Sequence, residues 1–308
     1  MSFTIISHHQ CRQHKVPDWF VECPERIDAI NNQIIASGLE FGVQHLDAKK
    51  VTPQQLERVH DKAYLTSLAE QVPTQGINML SDDLPLSPKT LLAAQYAAGS
   101  GVQAVDLLML GKAKGVFCNV RPPGHHAERQ QALGFCFYNN IAVAAAYAMD
   151  AYGLQRIAIV DFDVHHGNGT QDIFEDDPRV WFSSVYQDKL FPATTYHSYG
   201  ENIVNLPLAA PCTSQQWREA LEKGCLDKLA AFQPEMIFIS AGFDAHLEDD
   251  ISNFQLTESD YAWLSSELRA IKDRTGSCLG IVSMLEGGYN LSALGRSVVA
   301  HIKALAKL

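Results

Sequence analysis

The 308-residue chain contains no long uninterrupted apolar run, although 46% of its residues are hydrophobic. A membrane-spanning helix needs about 18 such residues in a row, so the sequence predicts no membrane partner. Low-complexity tracts, internal repeats and Gly/Ser linkers are also missing, and nothing marks a boundary between domains. Residues 1–10 lack the basic segment and apolar core that are typical of a signal peptide.

Closely spaced cysteine pairs are absent too, since the seven cysteines are scattered and odd in number. A reduced, cytoplasmic protein fits this pattern better than a disulfide framework does. Positive charge is scarce: 24 Lys and Arg face 35 Asp and Glu, which gives a formal net charge of −11. Nucleic-acid binding needs basic patches, so we expect no nucleic-acid partner. The acidity would suit a cationic substrate, or it serves solubility alone.

Short apolar and β-branched runs alternate with helical patterns along the whole chain. The predicted strands are 3–6, 116–119, 157–162, 180–185, 236–240 and 280–284. The predicted helices are 24–37, 88–110, 138–152, 214–232, 257–273 and 291–308. Nearly continuous apolar strands are typical of a parallel sheet covered on both faces. The alternation therefore predicts an α/β protein: a single three-layer domain over residues 1–308, with a central, mostly parallel sheet flanked by helices.

Helix boundaries carry local signals. Ser87 before Pro88 predicts the N-cap of the second helix, with proline at its first position. Thr257 and Asp260 resemble a capping box. In parallel sheets, functional sites form at the carboxyl ends of the strands. The polar motifs of this chain follow its predicted strands.

One motif combines carboxylates with an imidazole. Asp161, Asp163 and His165 follow a predicted strand, and Asp244 follows another. In an extended chain, residues two apart point the same way, so the first three would project together. Two carboxylates and one imidazole can bind a divalent ion and leave a position open for water. Ligand type alone does not separate Zn²⁺ from Fe²⁺ or Mn²⁺. Taken by itself, the motif fits a polar loop or helix cap equally well; the neighbouring clusters favour a metal site.

Two adjacent histidines, His125 and His126, follow the strand 116–119. Such a pair offers a base and an acid whose pKa values lie near neutrality. Each imidazole needs a partner on its second nitrogen, and Asp161 and Asn168 are the nearest candidates in the motifs. Two adjacent histidines, taken by themselves, are more often a metal ligand or a surface feature.

A tyrosine completes the set of candidate groups. Tyr289 follows Glu286 and two glycines, which let the backbone bend so that the phenol faces the metal. Its hydroxyl could donate to a developing oxyanion. The alternative is a packed aromatic ring. Residues 134–136 (Gly-Phe-Cys) indicate a constrained, partly apolar channel near the histidines.

These clusters, in this order, resemble the histone deacetylase family, which has the arginase–deacetylase fold. The resemblance starts at residues 23–27 (Cys-Pro-Glu-Arg-Ile), includes 59–64 and covers nearly the whole chain. Asn168, which stands where other branches have aspartate, resembles the class II branch. The chain as a whole resembles a bacterial-type member of the family. The resemblance implies zinc-dependent hydrolysis of the amide of N-acetyl-lysine in proteins or peptides, with release of a free amine and acetate.

The resemblance also implies residue roles. Zinc is bound by Asp163, His165 and Asp244. The catalytic groups are His125, His126 and Tyr289, with Asp161 and Asn168 as partners of the histidines. The walls of the substrate tunnel are Gly134, Phe135, Phe191 and Gly288. Arg26 borders an inner cavity for acetate, and a structural potassium ion lies near Asp161, Asp163, His165 and Ser184.

The sequence departs from the family pattern near the expected tunnel mouth. Tyr186 replaces a common histidine, residues 193–201 replace a glycine-rich stretch, and 249–251 (Asp-Asp-Ile) replace Asp-Pro-Leu. These changes leave the substrate open rather than the chemistry. Asp82 and Asp83 could supply a rim carboxylate that holds a peptide backbone, or they form an ordinary solvated loop.

Other functions remain as alternatives. One is a small-molecule amidohydrolase such as an acetylpolyamine deacetylase; another is a non-catalytic acyl-lysine binder, against which Tyr289 argues. Arginase-like chemistry needs further carboxylates where this chain has Asn168. The sequence does not fix the natural substrate, the acyl chain length, the metal loaded in the cell or the oligomeric state.

Overall fold

The structure of the protein, a computed structural model, describes residues 2–194 and 196–308. Its strands are β1 Phe3–Ser7, β2 Val43–Asp47, β3 Asn78–Met79, β4 Pro85–Leu86, β5 Val116–Cys118, β6 Ile157–Asp161, β7 Val180–Gln187, β8 Ile203–Leu208, β9 Cys212–Thr213, β10 Met236–Ala241, β11 Phe254–Gln255 and β12 Ile281–Leu285. Its α-helices are α1 Glu25–Ala36, α2 Pro53–Leu56, α3 Lys62–Glu70, α4 Thr90–Met109, α5 Asn140–Tyr152, α6 Asn168–Phe174, α7 Ser214–Leu221, α8 Asp227–Phe232, α9 Glu258–Arg274 and α10 Leu291–Ala306.

Eight strands form one sheet in the order β2-β1-β5-β12-β10-β6-β7-β8. Every pairing in this sheet is parallel. Parallel neighbours need crossover connections, and helices supply most of them; between β7 and β8 the described residues contain no helix. The carboxyl ends of all eight strands therefore lie along one edge of the sheet.

The two faces of the sheet carry separate hydrophobic cores. Within β10, Met236 and Phe238 belong to the core that includes α4 and α5. Ile237 and Ile239 belong to the opposite core, which includes α1, α9 and α10. Successive side chains of a strand point to opposite faces, so these continuous apolar strands need cover on both sides. The three-layer architecture follows, and none of the helices in the described ranges has the length and apolarity to cross a membrane.

The six predicted strands and the parallel sheet are confirmed, but the sequence missed the strands at the two sheet edges, β2 and β8. The predicted helix 214–232 is divided into α7 and α8 by one π-helical turn, Glu222–Leu226. The capping box at Thr257 is present. The N-cap at Ser87 is wrong: α4 begins at Thr90 with Lys89 as its N-cap, and the Ser87 hydroxyl accepts a hydrogen bond from the Lys15 amide at 3.1 Å instead.

Phe238 lies in the middle of β10 and is fully buried. We expect Phe238→Ala to lower the free energy of unfolding by about 3–5 kcal/mol, because the change leaves a cavity in the core. Leu110→Ala, at a position that is 60% exposed, is the control and should change stability by less than about 0.5 kcal/mol. Urea denaturation of both variants measures the difference. Equal effects would contradict the assignment of Phe238 to the core.

Candidate active site

Four neighbouring strands bring the motifs together. β5, β12, β10 and β6 are adjacent in that order, and each is followed by one polar cluster. The histidine pair follows β5, Tyr289 follows β12, Asp244 follows β10, and Asp163 with His165 follows β6. Residues far apart in the chain therefore meet at one edge of the sheet, as parallel topology requires.

Asp163, His165 and Asp244 form a buried cluster whose potential ligand atoms all lie within 4.8 Å of one another. The His165 Nδ1 atom is 2.9 Å from Asp163 Oδ1 and 3.2 Å from Asp244 Oδ2. Asp244 Oδ2 is buried and accepts no hydrogen bond from the described residues. Two carboxylates buried together need a cation, because burial of unpaired charge is costly. The donor set therefore fits a divalent metal with one imidazole and two carboxylate ligands.

The electrostatics of the cluster agree with this fit. Burial disfavours a charged His165, but Asp163 and Asp244 outweigh it and raise the pKa of His165 to about 10. Burial and then the neighbouring Asp163 raise the pKa of Asp244 to about 6. The site thus attracts positive charge strongly, and its carboxylates repel one another without it.

The two adjacent histidines have different environments. His125 Nδ1 lies 2.8 Å from Asp161 Oδ2 and His126 Nδ1 lies 2.7 Å from Asn168 Oδ1. Burial lowers the pKa of His125, but Asp161 and Asp163 outweigh it and raise that pKa to about 10. Burial, followed by the charges of His125 and His165, holds the pKa of His126 well below its usual value. His126 is therefore the imidazole that stays neutral and can accept a proton.

Tyr289 is held by contacts on its backbone and on its ring. The Asp249 carboxylate accepts hydrogen bonds from the backbone amides of Tyr289 and Asn290 at 2.6 and 3.0 Å. The Arg26 guanidinium lies 5.1 Å from the centre of the Tyr289 ring. Desolvation, followed by the carboxylates of Asp244 and Asp163, raises the pKa of Tyr289 well above its usual value. The phenol therefore keeps its proton and can donate it in a hydrogen bond.

Arg26 is fully buried and uses all three guanidinium nitrogens. It donates to Glu22 Oε1 at 3.0 Å and to the carbonyls of Gly288 and Glu286 at 2.7 and 2.5 Å. Gly288 has φ +116°, a conformation that favours glycine, and its carbonyl points to Arg26. These two residues hold the turn before Tyr289, and neither of them lines the main cavity.

A cavity of roughly 900 Å³ lies over the cluster and is lined by His126, His165 and Tyr289. Phe191 packs edge-on against His126 and Phe135 against Tyr289, with ring centres 5.0 and 5.8 Å apart. The cavity therefore has aromatic walls next to the polar groups, which is typical of a small-molecule or side-chain binding site.

The wall between the two phenyl rings needs a glycine. Gly134 has φ +53°, and a Cβ atom there would lie 2.8 Å from Phe191 and would also collide with the His126 ring. The next residue, Phe135, also has a positive φ, +66°. Such strain at a non-glycine residue is held by the surrounding structure and aims the phenyl ring at Tyr289.

Asp82 and Asp83 both border the cavity. Asp82 is exposed, whereas Asp83 is half-buried and accepts a hydrogen bond from the Gly134 amide at 2.9 Å. Asp83 therefore holds the backbone at Gly134, whereas Asp82 is exposed at the border of the cavity.

The departures near the mouth pack against a histidine. Tyr196 stacks on His166 with ring centres 3.8 Å apart, and Tyr186 contacts the same ring edge-on at 4.8 Å. Thr195 of the altered loop lies outside the described residues. The cavity walls on this side come from Leu190 and Phe191 instead of from Tyr196.

Sequence reasoning missed the roles of four carboxylates that position the site: Glu22, Glu128, Asp249 and Glu286. Glu286 accepts the backbone amides of Gly124 and His125 at 2.7 and 3.1 Å. Burial raises the pKa of Glu286 to about 7. The position of Glu286 in the same motif as Tyr289 is the one sequence signal that could have indicated its role.

The sheet and its carboxyl edge define the class first: an α/β protein with the arginase–deacetylase fold. The HD domain of HDA15 superposes with a TM-score of 0.90 at 30% identity, covering 100% of this chain and 90% of that chain. Residues 20–305 match the model of the histone deacetylase domain. The chain belongs to the histone deacetylase family, whose activity is that of a hydrolase.

Two curated relatives illustrate the range of the family. Histone deacetylase 14, chloroplastic, of Arabidopsis thaliana is 36% identical over 92% of this chain and 72% of its own length. Polyamine deacetylase HDAC10 of Homo sapiens is 33% identical over 94% of this chain and 45% of its own length. Both similarities extend over more than nine tenths of this chain.

The metal cluster can be tested without a substrate. We expect Asp244→Asn to weaken zinc binding by at least about 100-fold, because it removes a ligand charge from a buried site. Competition with a chromophoric chelator measures the affinity, and metal analysis after dialysis gives the stoichiometry. Asp18→Asn, an exposed carboxylate elsewhere, is the matched control and should bind zinc like the parent protein. Unchanged affinity in Asp244→Asn would rule out this cluster as the metal site.

Proposed function

We propose that this protein is a zinc-dependent deacetylase that hydrolyses the amide of N-acetyl-lysine in proteins or peptides. The observation that carries the proposal is the shared lining of one apolar-walled cavity by His126, His165 and Tyr289. A neutral base, a metal ligand and a phenol donor would then surround the amide of a bound substrate. Membership in the histone deacetylase family supports the same reaction.

Asp163, His165 and Asp244 would hold the metal. When bound, zinc polarises the amide carbonyl and makes water more acidic; Fe²⁺ would accept the same ligands. The Tyr289 hydroxyl donates a hydrogen bond to the carbonyl oxygen as negative charge develops there. These donors act in a desolvated site, which strengthens their effect.

His126 moves the protons. Its Nε2 atom takes a proton from water as the water oxygen bonds to the carbonyl carbon. The carbon–nitrogen bond then breaks, and the nitrogen takes that proton from His126. The products are a free amine and acetic acid, which ionises to acetate. His125, with Asp161 on its Nδ1 atom, supplies a positive charge beside the reacting oxygen atoms.

The apolar walls favour an acyl-lysine over an acetylpolyamine. The methylene chain of lysine would lie between Phe135 and Phe191, and Ile251 and Leu190 add further apolar wall. A polyamine would place a second ammonium along the same walls, where its desolvation is costly. Acidic groups border this cavity only at its rim among the described residues, as Asp82 and Asp83.

Family resemblance also suggests a potassium ion near Asp161, Asp163, His165 and Ser184. Asp161 and Ser184 are register partners on β6 and β7, which supports that placement. We also propose a reducing compartment, the cytoplasm, because all seven cysteines are unpaired.

The zinc-loaded protein should hydrolyse an acetyl-lysine peptide, and Tyr289→Phe should lower kcat by about 100- to 1,000-fold, because the oxyanion donor is lost. A fluorogenic acetyl-lysine peptide measures the rate. Tyr199→Phe, an exposed tyrosine, is the control and should keep parental activity. A Tyr289→Phe variant with parental kcat would contradict the proposed role of the phenol.

The substrate class needs a separate comparison. We expect kcat/KM to be higher for an acetyl-lysine peptide than for N⁸-acetylspermidine. The polyamine would place a second charged group in the tunnel, whereas the acetyl-lysine side chain would not. Both substrates are assayed with the same zinc-loaded protein. A higher kcat/KM for the polyamine would reverse the assignment and give this chain the activity that the name of its human relative states.

A further inference from the structure

Asn168 lies between the candidate base and a carboxylate that the sequence did not indicate. Its Oδ1 atom is 2.7 Å from His126 Nδ1, and its Nδ2 atom donates to Glu128 Oε1 at 2.7 Å. Nδ2 also lies 3.4 Å from the His126 carbonyl oxygen. His126, Asn168 and Glu128 thus form a continuous hydrogen-bonded row.

The acceptors around Nδ2 fix which way the Asn168 amide faces. A carboxylate and a backbone carbonyl only accept hydrogen bonds, so the NH₂ group must face Glu128. The amide oxygen then faces His126. Because this oxygen cannot donate, His126 must carry its proton on Nδ1. Its Nε2 atom keeps the lone pair that a general base needs.

Glu128 is itself held in place from several directions. Gln131 Nε2 donates to its second carboxylate oxygen at 2.5 Å. The Glu128 backbone carbonyl accepts a hydrogen bond from His60 Nδ1 at 2.9 Å, and His60 Nε2 accepts one from the Asn139 amide at 2.9 Å. Burial lowers the pKa of His60 to about 4, so it stays neutral and keeps both contacts. The carboxylate is therefore a fixed feature of the site.

We propose that Glu128 is a positioning residue that sets the orientation of the Asn168 amide and thereby the tautomer of His126. Its catalytic consequence rests on the proposed deacetylase function. A glutamine at position 128 could donate to Asn168 as well as accept from it. The Asn168 amide could then turn its NH₂ group towards His126, which would place the imidazole proton on Nε2 and remove the base.

The test is an exchange of charge between positions 128 and 168. We expect Glu128→Gln to lower kcat on the acetyl-lysine peptide by about 10- to 100-fold, with KM changed less than about twofold. Asn168→Asp alone should also be slower, because it sets two carboxylates side by side. The double variant Glu128→Gln/Asn168→Asp should recover activity, since an aspartate accepts from His126 in either orientation and the introduced glutamine can donate to that aspartate.

Asp172→Asn is the matched control. Asp172 lies on α6, the helix that begins at Asn168, and accepts the Arg129 amide at 2.8 Å without reaching the Asn168 side chain. Like Glu128→Gln, the Asp172→Asn substitution removes one negative charge near Asn168, but it should leave kcat unchanged. Parental kcat in Glu128→Gln, or no recovery in the double variant, would overturn the proposal.

Nitrogen-15 NMR of the histidine-labelled, zinc-loaded protein gives a readout that needs no substrate. In the parent protein we expect His126 to carry its proton on Nδ1, with an unprotonated Nε2. Glu128→Gln should populate the other tautomer, and the double variant should restore the first. If the parent protein hydrolyses no acetyl-lysine peptide, the proposed function fails while these spectra still decide the role of Glu128. Identical His126 spectra in parent and Glu128→Gln would refute it.

Discussion

The buried carboxylate of Asp163 is the contact point on which the rest of the site depends. One of its oxygens accepts from the His165 amide at 2.9 Å, and the other accepts from the Gly287 amide at 2.8 Å. His125 Nε2 lies 3.8 Å from it. The loops after β6, β12 and β5 thus meet at one charge. A buried carboxylate tolerates this position only with donors and a cation around it, which accounts for the density of polar groups at the sheet edge.

A second group of buried charged side chains supports the site through the turn that precedes Tyr289. Glu22 binds Arg121 through both carboxylate oxygens at 2.8 Å and Arg26 at 3.0 Å, and all three side chains are inaccessible to solvent. Arg26 carries the link onward to the turn that precedes Tyr289. Breaking one member would leave an uncompensated buried charge, which is strongly destabilising.

Much of the fold and of the candidate site could be predicted from the sequence, because the motif residues directly follow apolar strands. β2 was missed because its sequence, Val-Gln-His-Leu-Asp, is mostly polar, and β8 because it contains Pro207. Both are edge strands. One hydrogen-bonding side of such a strand has no neighbouring strand, so polar residues and proline are tolerated there. The roles of Glu128 and Asp249 could not be predicted, since each contacts a partner that lies 40 residues away in the chain, beyond an intervening helix and strand. No local periodicity records such a contact.

The asymmetry between the two histidines has a physical reason. An aspartate in direct contact with His126, in addition to Asp161 on His125, would add negative charge beside two buried ligand carboxylates. It would also make His126 more basic. An amide avoids both effects but can face either way, because its two ends have nearly the same shape. A carboxylate on the far side of the amide from His126 removes that ambiguity. Glu128 is half-buried at the edge of the site, where its charge is hydrated at less cost. Orientation and basicity are thereby set by different residues, Glu128 for the first and Asn168 for the second.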